Sequence, residues 1–375
     1  MSKLFERLLL KRIEEAAPLN ELIPDHQFGF RRKHSTIQQC HRIINKIKTS
    51  LEGREYCTSV FLDVQQAFDK VWHAGLLYKL KTYLPERFYI ILKSYLHDRY
   101  FQIKLDDDLS DYKPIKTGVP QGSVLGPFLY LIFTADLPQT NDTLIATFAD
   151  DTAILTSDLD PRRASEKLQY HLDTLHIWLQ RWKISVNTNK SVQVTFTTKK
   201  SGCPEVNINN NPIPVKTEVK YLGLHLDEKL TWKTHIKAKR RQLDLKMKNM
   251  YWLLNRKSKL SLENKLIIYK CIIKPIWTYG IELWGCSKPS NTKILQSFQS
   301  KTLRMISGAP WYVSNQTLQE DFKIPSIQDE IKSNINRYKD RTTEHVNQLI
   351  SDLFTHPLEN RRLKKIWPED LLDEV

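Results

Sequence analysis

The chain has 375 residues, of which 41% are hydrophobic and 10% aromatic, so it can bury two or three subdomain cores. Its 57 Lys and Arg residues against 42 Asp and Glu residues give a net charge of +15, which favours a polyanionic partner. The absence of an apolar run of about 18 residues excludes a transmembrane helix, and the amino terminus lacks the features of a secretory signal.

The five cysteines are scattered along the chain and form no CxxC pair. This spacing argues against a disulfide framework and against a zinc knuckle. We therefore expect an intracellular protein of the nucleus or the cytoplasm, which is not secreted and has no membrane partner.

The first third of the chain predicts helices with one buried strand among them. Helical spacing of apolar residues predicts a helix over residues 4–17 and a second one that begins after an N-cap at Ser35 or Thr36. Residues 56–63 are rich in β-branched and aromatic types and predict a buried strand. Helices over residues 74–83 and 86–96 follow, and then a polar hairpin around residues 106–108.

The middle of the chain predicts a buried helix from Gly122, two short strands within residues 144–155, a helix over 163–182 and a strand over 191–198. This order of elements is typical of an α+β fold. From about residue 229 the pattern becomes helical and basic, with eleven Lys or Arg residues and one acid, Asp244, between residues 229 and 260. A second subdomain is therefore expected there.

Two motifs place carboxylates at the ends of apolar, strand-like runs. Phe61-Leu62-Asp63 ends the first predicted strand, and Phe148-Ala149-Asp150-Asp151 joins the later strand pair. A carboxylate in such a position is costly unless it binds a cation. Each acid taken alone is as well explained by an exposed turn, but the glycine-rich segment 120–127 lies between the two motifs. The combination predicts the palm of a nucleotidyl-transferring polymerase.

DNA synthesis requires that the primer 3′-hydroxyl is activated and that the charge of the leaving pyrophosphate is neutralised. Two Mg²⁺ ions about 3.5–4 Å apart, held by carboxylates, do both. We predict that Asp63 and Asp150 bridge these ions and that Asp151 is a weaker or outer ligand. The carbonyl oxygen of Val64 is a further candidate ligand, and Mn²⁺ is the alternative ion.

Four residues are candidates for binding the incoming nucleotide. The ring of Phe68 would clash with a ribose 2′-hydroxyl and so select deoxynucleotides, although a core role is the commoner fate of a phenylalanine. Gln121 offers a side-chain amide and Gly122 a close backbone approach, and the alternative for Gly122 is a simple turn before a helix. Arg31 is a candidate for gripping phosphate, and its alternative is a solvated basic residue.

The basic segment supplies candidates for contacting the backbone of a duplex, which are Lys237, Lys239, Arg240 and Arg241. Trp252 is expected to pack inward rather than to touch sugars. Core packing is also expected for Trp277, Trp284 and Trp311.

In their order along the chain, these motifs resemble the reverse transcriptases of non-LTR retrotransposons (LINE-like elements), and within them the jockey group of insect elements. The matching segments are Gln27-Phe28-Gly29-Phe30-Arg31, residues 61–73, 118–127, 148–153 and 220–223, and the later residues 303–312 and 367–372. The resemblance covers essentially the whole chain.

The resemblance implies an RNA-directed DNA polymerase with a right-hand fold and with Asp63, Asp150 and Asp151 at the metal ions. It implies that Phe68 gates the sugar and that Gln121 and Gly122 border the nucleotide. By the same resemblance, Tyr221, Leu222 and Gly223 form the turn that supports the primer end. The implied substrates are dNTPs and an RNA template annealed to a DNA primer.

The expected fold class is α+β, a right-hand polymerase palm with partial fingers and a helical, thumb-like carboxy-terminal region. We predict partial fingers in residues 1–52, the palm in 53–228, a basic thumb-like domain in 229–310 and a helical extension in 311–375. Family polyproteins carry an amino-terminal endonuclease and basic fingers residues, and we expect both to precede this chain.

Two other functions compete with this prediction. A non-catalytic nucleic-acid-binding remnant of a truncated retrotransposon polyprotein is the first, because the basic fingers residues are expected to be missing. An RNA-dependent RNA polymerase is the second, and Phe68 argues against it because a ribonucleotide enzyme needs room for the 2′-hydroxyl.

Overall fold

The computed structural model describes residues 2–17, 19–355 and 361–372, with only the backbone of residues 19 and 20. The chain folds as two compact units. The first unit comprises residues 1–39 and 53–216, and the second comprises residues 40–52 and 217–375.

The first unit combines helices with one main sheet. Its helices are α1 (Ser2–Ala16), α2 (Leu19–Leu22), the start of α3 (Thr36–Glu52), α4 (His73–Tyr83), α5 (Glu86–Leu96), α6 (Leu125–Phe133) and α7 (Pro161–Trp182). Its strands are β1 (Tyr56–Leu62), β2 (Tyr100–Phe101), β3 (Lys104–Leu105), β4 (Asp108–Leu109), β5 (Lys113–Pro114), β6 (Leu144–Phe148), β7 (Asp151–Asp158), β8 (Val192–Phe196), β9 (Asn207–Ile208) and β10 (Asn211–Pro212).

Strands β6, β7, β1 and β8 form a four-stranded antiparallel sheet in that order. All seven residues of β1 are buried, which agrees with a strand whose two faces are both covered. Val60 and Leu62 of β1 pack in one apolar cluster with residues of α4, α5, α6 and α7. The predicted strand at residues 56–63 and the predicted α+β class are therefore confirmed.

Helix α6 begins three residues later than predicted. Gly122 has φ +81°, a left-handed conformation outside the α-helical region, so the chain at this residue is still a turn. The helix starts where Glu6 of α1, itself buried, accepts hydrogen bonds from the backbone N–H groups of Val124 (2.6 Å) and Leu125 (3.4 Å). A carboxylate at this position stabilises a helix amino terminus.

The second unit is mainly helical. It contains the rest of α3, the hairpin of β11 (Glu218–Tyr221) and β12 (Leu224–Asp227), and helices α8 (Lys233–Leu254), α9 (Leu262–Ile268), α10 (Lys274–Thr278), α11 (Ile281–Trp284), α12 (Pro289–Ser307), α13 (Asn315–Asp321), α14 (Ile327–Thr343) and α15 (Gln348–Ser351). A π-helical turn at Tyr269–Ile273 and short 3₁₀ turns at Asp352–Phe354 and Pro368–Leu371 complete it.

Two of the four tryptophan predictions are wrong. Trp277 and Trp284 are buried in the second unit as predicted, but Trp252 is 70% exposed and Trp311 is 87% exposed. Along α8 the buried stripe near Trp252 is Met250 and Leu254, which turns the indole to the opposite side of the helix. Trp311 lies beyond the end of α12, in a turn.

The predicted four-part division stays a prediction. The two compact units place residues 40–52 with the carboxy-terminal part of the chain, whereas the predicted fingers segment ends at residue 52. Part of the predicted extension, residues 356–360 and 373–375, lies outside the described residues. Within the described ranges, no helix combines the length and the apolar character that a membrane crossing needs.

Candidate active site

The register of the main sheet brings the two acidic motifs together. Leu62, the last residue of β1, is paired with Thr152 of β7, so Asp63 follows β1 beside Asp151, the first residue of β7. Neighbouring residues in an antiparallel pair have Cα atoms about 4.5–5.5 Å apart. Phe148 pairs with Asp151, which makes Ala149 and Asp150 a two-residue hairpin turn at the same edge of the sheet.

The acidic turn has a strained backbone that a glutamine side chain holds. Ala149 has φ +59°, which costs a non-glycine residue about 1–2 kcal/mol. Gln27 Oε1 accepts from the N–H groups of Ala149 (2.8 Å) and Gly29 (2.8 Å), and Gln27 Nε2 donates to the Ala149 carbonyl (3.2 Å). A Cβ at Gly29 would lie 2.1 Å from the Ala149 nitrogen, so only glycine fits there. Segment 27–29 thus positions the acidic turn.

The first acid is fixed by the segment that leads into β8. The carbonyl of Asp63 accepts from the N–H of Asn187 (2.8 Å), and its own N–H donates to Ser191 Oγ (3.2 Å). Val64 forms an antiparallel bridge with Val186 through bonds made by its neighbours Asp63 and Gln65. In such a pair the carbonyl of Val64 points away from Val186 and towards the β7 side of β1. This is the side of Asp150 and Asp151.

The three acids repel one another. Burial, and then the charges of Asp150 and Asp63, raise the pKa of Asp151 above its usual value. Burial and the charges of Asp150 and Asp151 also raise the pKa of the Tyr130 hydroxyl. Within the described part of the chain, no ion pair and no hydrogen bond uses the carboxylate oxygens of Asp63, Asp150 or Asp151.

This donor set fits a divalent cation. Carboxylate and carbonyl oxygens are the ligands that Mg²⁺ prefers, and a cation would offset both causes of the raised pKa of Asp151, its burial and then the charges of Asp150 and Asp63. Among the described residues, no three His, Cys, Asp or Glu side chains already stand in the arrangement of a metal site. The fit therefore rests on the kind of donor atoms and on the strand register that places these residues at one edge of the sheet.

The candidate nucleotide-binding residues lie on two loops that hydrogen-bond to each other. Phe68 lies on the loop after β1, and Gln121 and Gly122 lie on the loop before α6. The Phe68 ring stacks on Tyr130 with 4.9 Å between centroids, and its backbone carbonyl accepts from the N–H of Val119 (2.8 Å). Gln121 Nε2 donates to Asp69 Oδ1 (2.9 Å), which joins the two loops again. Gly122 is exposed, and a Cβ there would meet nothing within 4 Å.

Arg31 is bound to its own loop. Its Nη1 donates to the carbonyls of Pro24 (3.1 Å) and Gln27 (3.3 Å) and forms an ion pair with Asp25 (3.7 Å). These contacts brace the segment that holds the acidic turn. The predicted role of Arg31 in gripping phosphate stays a prediction.

The predicted primer turn belongs to the second unit. Leu222 (φ +43°) and Gly223 (φ +83°) form the turn between β11 and β12, and the Leu222 carbonyl accepts from the Tyr279 hydroxyl (2.7 Å). A Cβ at Gly223 would lie 2.9 Å from Tyr279 Cε1, so the turn fits closely on this ring. Tyr221 is buried beneath it.

The four basic candidates of α8 differ in their surroundings. Lys239 lies over the Tyr279 ring at 5.1 Å, and burial followed by the charge of Lys220 lowers the pKa of its ammonium. Arg240 forms a bidentate pair with Asp244, at 3.0 Å from Nε and 2.9 Å from Nη2. Lys237 and Arg241 are exposed.

Sequence reasoning missed the positioning residues Gln27, Glu6, Ser191 and Tyr279. Gln27 belongs to one of the segments that match the reverse transcriptase pattern, residues 27–31. Nothing in the local sequence shows that its amide reaches a turn 122 residues away. Glu6 and Tyr279 carry no local signal either, because their roles depend on which helix end or turn is folded against them.

Comparison with known proteins assigns the family. The model of the family described as reverse transcriptase (RNA-dependent DNA polymerase) matches residues 1–226. A probable RNA-directed DNA polymerase from transposon X-element of Drosophila melanogaster is 41% identical over 377 residues, covering 99% of this chain and 41% of that protein. The RNA-directed DNA polymerase from mobile element jockey of Drosophila funebris is 41% identical over 391 residues, covering 100% of this chain and 43% of that protein.

This chain thus spans about two fifths of the length of the curated relatives it matches. Among solved structures, telomerase from Candida tropicalis in complex with a TWJ fragment of telomeric RNA gives a TM-score of 0.43 at 14% identity, covering 94% of this chain and 56% of that chain. That likeness is too distant to bear on the site. On the family match, the chain belongs to the reverse transcriptase (RNA-dependent DNA polymerase) family.

Proposed function

We propose that this chain is the polymerase of a mobile element and adds deoxynucleotides to a DNA primer on an RNA template. The observation that carries the proposal is the convergence of Asp63 with Asp150 and Asp151 at one edge of the sheet, without a cationic side chain paired to them among the described residues. Family membership and the similarity to jockey and X-element polymerases support the same activity.

Reverse transcriptases generally use divalent metal ions. We propose that Asp63 and Asp150 hold two Mg²⁺ ions, or Mn²⁺ ions, with Asp151 as a weaker ligand and the Val64 carbonyl as a further one. When bound, such ions favour deprotonation of the primer 3′-hydroxyl and neutralise the charge of the departing pyrophosphate. In this proposal, Gln27 holds the turn that contains Asp150, so that the carboxylate stays at the position where the metal ions would bind.

The nucleotide pocket is proposed to contain Phe68, Gln121 and Gly122. The stack of Phe68 on Tyr130 limits how far the ring can move, so it can exclude a 2′-hydroxyl by its volume. Gly122 leaves open space at its α-carbon, which permits close approach of a base or a phosphate. The bond between Gln121 and Asp69 keeps the two loops in register while the nucleotide binds.

The second unit is proposed to contact the template and primer. The turn at Tyr221, Leu222 and Gly223 would support the primer end, and the exposed Lys237 and Arg241 would contact phosphates together with Lys239 and Arg240. Arg240 has to exchange its pair with Asp244 for a phosphate, so we expect it to contribute less than Arg241.

An intracellular location is part of the proposal, in the nucleus or the cytoplasm. All five cysteines are free thiols in the structure, and Cys40, Cys57, Cys203 and Cys286 are buried. Free buried thiols agree with a reducing compartment.

The test is primer extension by the purified chain on an RNA template with a DNA primer, dNTPs and Mg²⁺. We expect extension that falls by at least about 10³-fold in Asp63→Asn and in Asp150→Asn, because each loses a charged metal ligand. Asp107→Asn, in the exposed turn between β3 and β4, is the matched control and should extend normally. RNA binding without extension by the unaltered chain would instead identify a nucleic-acid-binding remnant.

A further inference from the structure

The turn after α12 presents two aromatic side chains to solvent. Trp311 is 87% exposed and Tyr312 is 73% exposed. The N–H of Val313 donates to the carbonyl of Pro310 (3.3 Å), so both aromatics occupy the central positions of a closed turn. Tyrosine and tryptophan side chains are enriched at binding interfaces, so this pair is a candidate contact for a ligand.

This aromatic turn is held in place by the helix that precedes it. Arg304 donates through Nη2 to the Val313 carbonyl (2.8 Å) and to Asn315 Oδ1 (3.0 Å), and through Nη1 to the Pro310 carbonyl (2.5 Å). The N–H of Ala309 donates to Ser307 Oγ (3.2 Å). A turn fixed before binding loses little conformational entropy when a ligand arrives.

A basic turn lies beside the aromatic turn. A Cβ built on Gly308 would be 3.6 Å from Arg256 Cβ, so the end of α12 packs against the residues that follow α8. Arg256, Lys257 and Lys259 are exposed there. None of the ion pairs found among the described residues involves these three cations.

Helices α8 and α12 bring further aromatic and basic side chains close to the aromatic turn and the basic turn. Arg240, in the first half of α8, lies over the Phe298 ring of α12 at 5.1 Å, and Gly308 after α12 lies beside Arg256 after α8. The two helices therefore run parallel, with their carboxyl ends as neighbours. An open groove of about 470 Å³ runs between them, and Tyr251, Lys248 and Lys301 contribute to its lining. Tyr251 is 58% exposed. The groove thus has an aromatic ring and two lysines in its lining.

We propose that the aromatic turn and the basic turn together bind single-stranded nucleic acid. Unpaired bases stack on Trp311 and Tyr312, and the phosphates between them contact Arg256, Lys257 and Lys259. This combination of exposed rings and cations recognises any unpaired strand, because every base has a flat face and every linkage a charge. A duplex hides its base faces and fits the surface poorly.

The surface lies wholly in the second unit and uses no group of the proposed polymerase site, so binding there needs neither metal ion nor dNTP. Single-stranded RNA and single-stranded DNA share the chemistry that it recognises. A failure of polymerase activity would leave this proposal intact, and its own failure would leave the polymerase proposal intact.

The test measures binding of fluorescein-labelled 12-mers of uridine and of thymidine to the full chain by fluorescence anisotropy, without metal ion or dNTP. We expect the double substitution Trp311→Ala and Tyr312→Ala to weaken binding of both strands by about tenfold or more, whereas phenylalanine at both positions should largely restore it. Tyr170→Ala, which removes an aromatic 68% exposed in the first unit, is the matched control. The ratio of the two affinities shows whether RNA or DNA is preferred.

Replacing Arg256, Lys257 and Lys259 by glutamine should lower the slope of log affinity against log salt by about 2. Photo-cross-linking with a 5-iodouridine oligomer should label the peptide that contains Trp311 and Tyr312. Unchanged affinity of the alanine variant would overturn the proposal. So would an equal loss on a blunt duplex, or a change confined to self-association in sedimentation, which would make the turn a protein contact.

Discussion

Phe68 is held between two other aromatic rings. It stacks on buried Tyr130 at an interplanar angle of 16°, and the exposed Phe30 meets it edge-on with 5.8 Å between centroids. Offset or stacked pairs of this kind resist displacement beyond what burial alone supplies. The ring therefore has a defined position from which it can exclude a 2′-hydroxyl.

We predict that Phe68→Ala increases the ratio of ribonucleotide to deoxynucleotide incorporation by about tenfold or more, because the volume that rejects the 2′-hydroxyl is removed. Single-nucleotide extension with matched rNTP and dNTP measures this ratio. Phe30→Ala removes one of the two rings that hold Phe68 and leaves the Phe68 ring itself, so it should raise the ratio less than Phe68→Ala does. An unchanged ratio in Phe68→Ala would show that the ring only packs.

At the scale of elements, the acidic hairpin and the segment 27–29 form one structural unit. The parallel bridge between Gln27 and Thr147 places this segment along the outer edge of β6, and Gln39 Nε2 donates to the carbonyls of His26 (2.7 Å) and Thr147 (2.6 Å). The strain at Ala149 is offset only while these bonds persist. A motif far from the acids in sequence thus shapes their turn.

We predict that Gln27→Ala lowers the free energy of unfolding by about 1–3 kcal/mol and reduces primer extension, because it leaves the N–H groups of Ala149 and Gly29 without their acceptor. Adding Ala149→Gly should recover part of this loss, since glycine adopts φ +59° without strain. Urea denaturation of the four members of this cycle measures the coupling. If the changes in the free energy of unfolding caused by Gln27→Ala and by Ala149→Gly simply add in the double variant, the two residues are not coupled.

The elements show where local sequence is informative. The long helix α7 was predicted almost to its ends, since Asp160 caps it and apolar spacing continues to Trp182. The start of α6 was not, because a buried carboxylate from α1 and the left-handed Gly122 decide it. Trp252 was wrongly placed in the core because local apolarity does not tell which helix face is covered, and Trp311 because it does not tell whether a turn faces the core or solvent.

At the scale of the whole molecule, His41, His171 and His235 are among the buried histidines of the described residues. Burial lowers the pKa of His41 to about 3, of His235 to about 3 and of His171 to about 4. The Nε2 atom of each is buried and has no hydrogen-bond partner within the described structure. Protonation in the folded state would therefore create an uncompensated charge.

We predict that stability falls as the pH decreases from about 6.5 towards 3. Below the unfolded histidine pKa of about 6.5, the unfolded chain binds protons that the folded chain excludes, so the free energy of unfolding decreases. Denaturant midpoints at pH 7.5, 6 and 5 measure the effect. His41→Gln should flatten this pH dependence, and His97→Gln, at an exposed residue, should not. A constant midpoint between pH 7.5 and 5 would contradict the prediction.

The sequence by itself determined the α+β class, most helices and strands, and the two acidic motifs, because these depend on local periodicity and on residue chemistry. Only the tertiary structure decided that Gln27 holds the acidic turn, that Glu6 begins α6 and that Trp311 faces solvent. Each of these depends on contacts between residues distant in the chain, and the free energy of such contacts is set by which surfaces meet on folding.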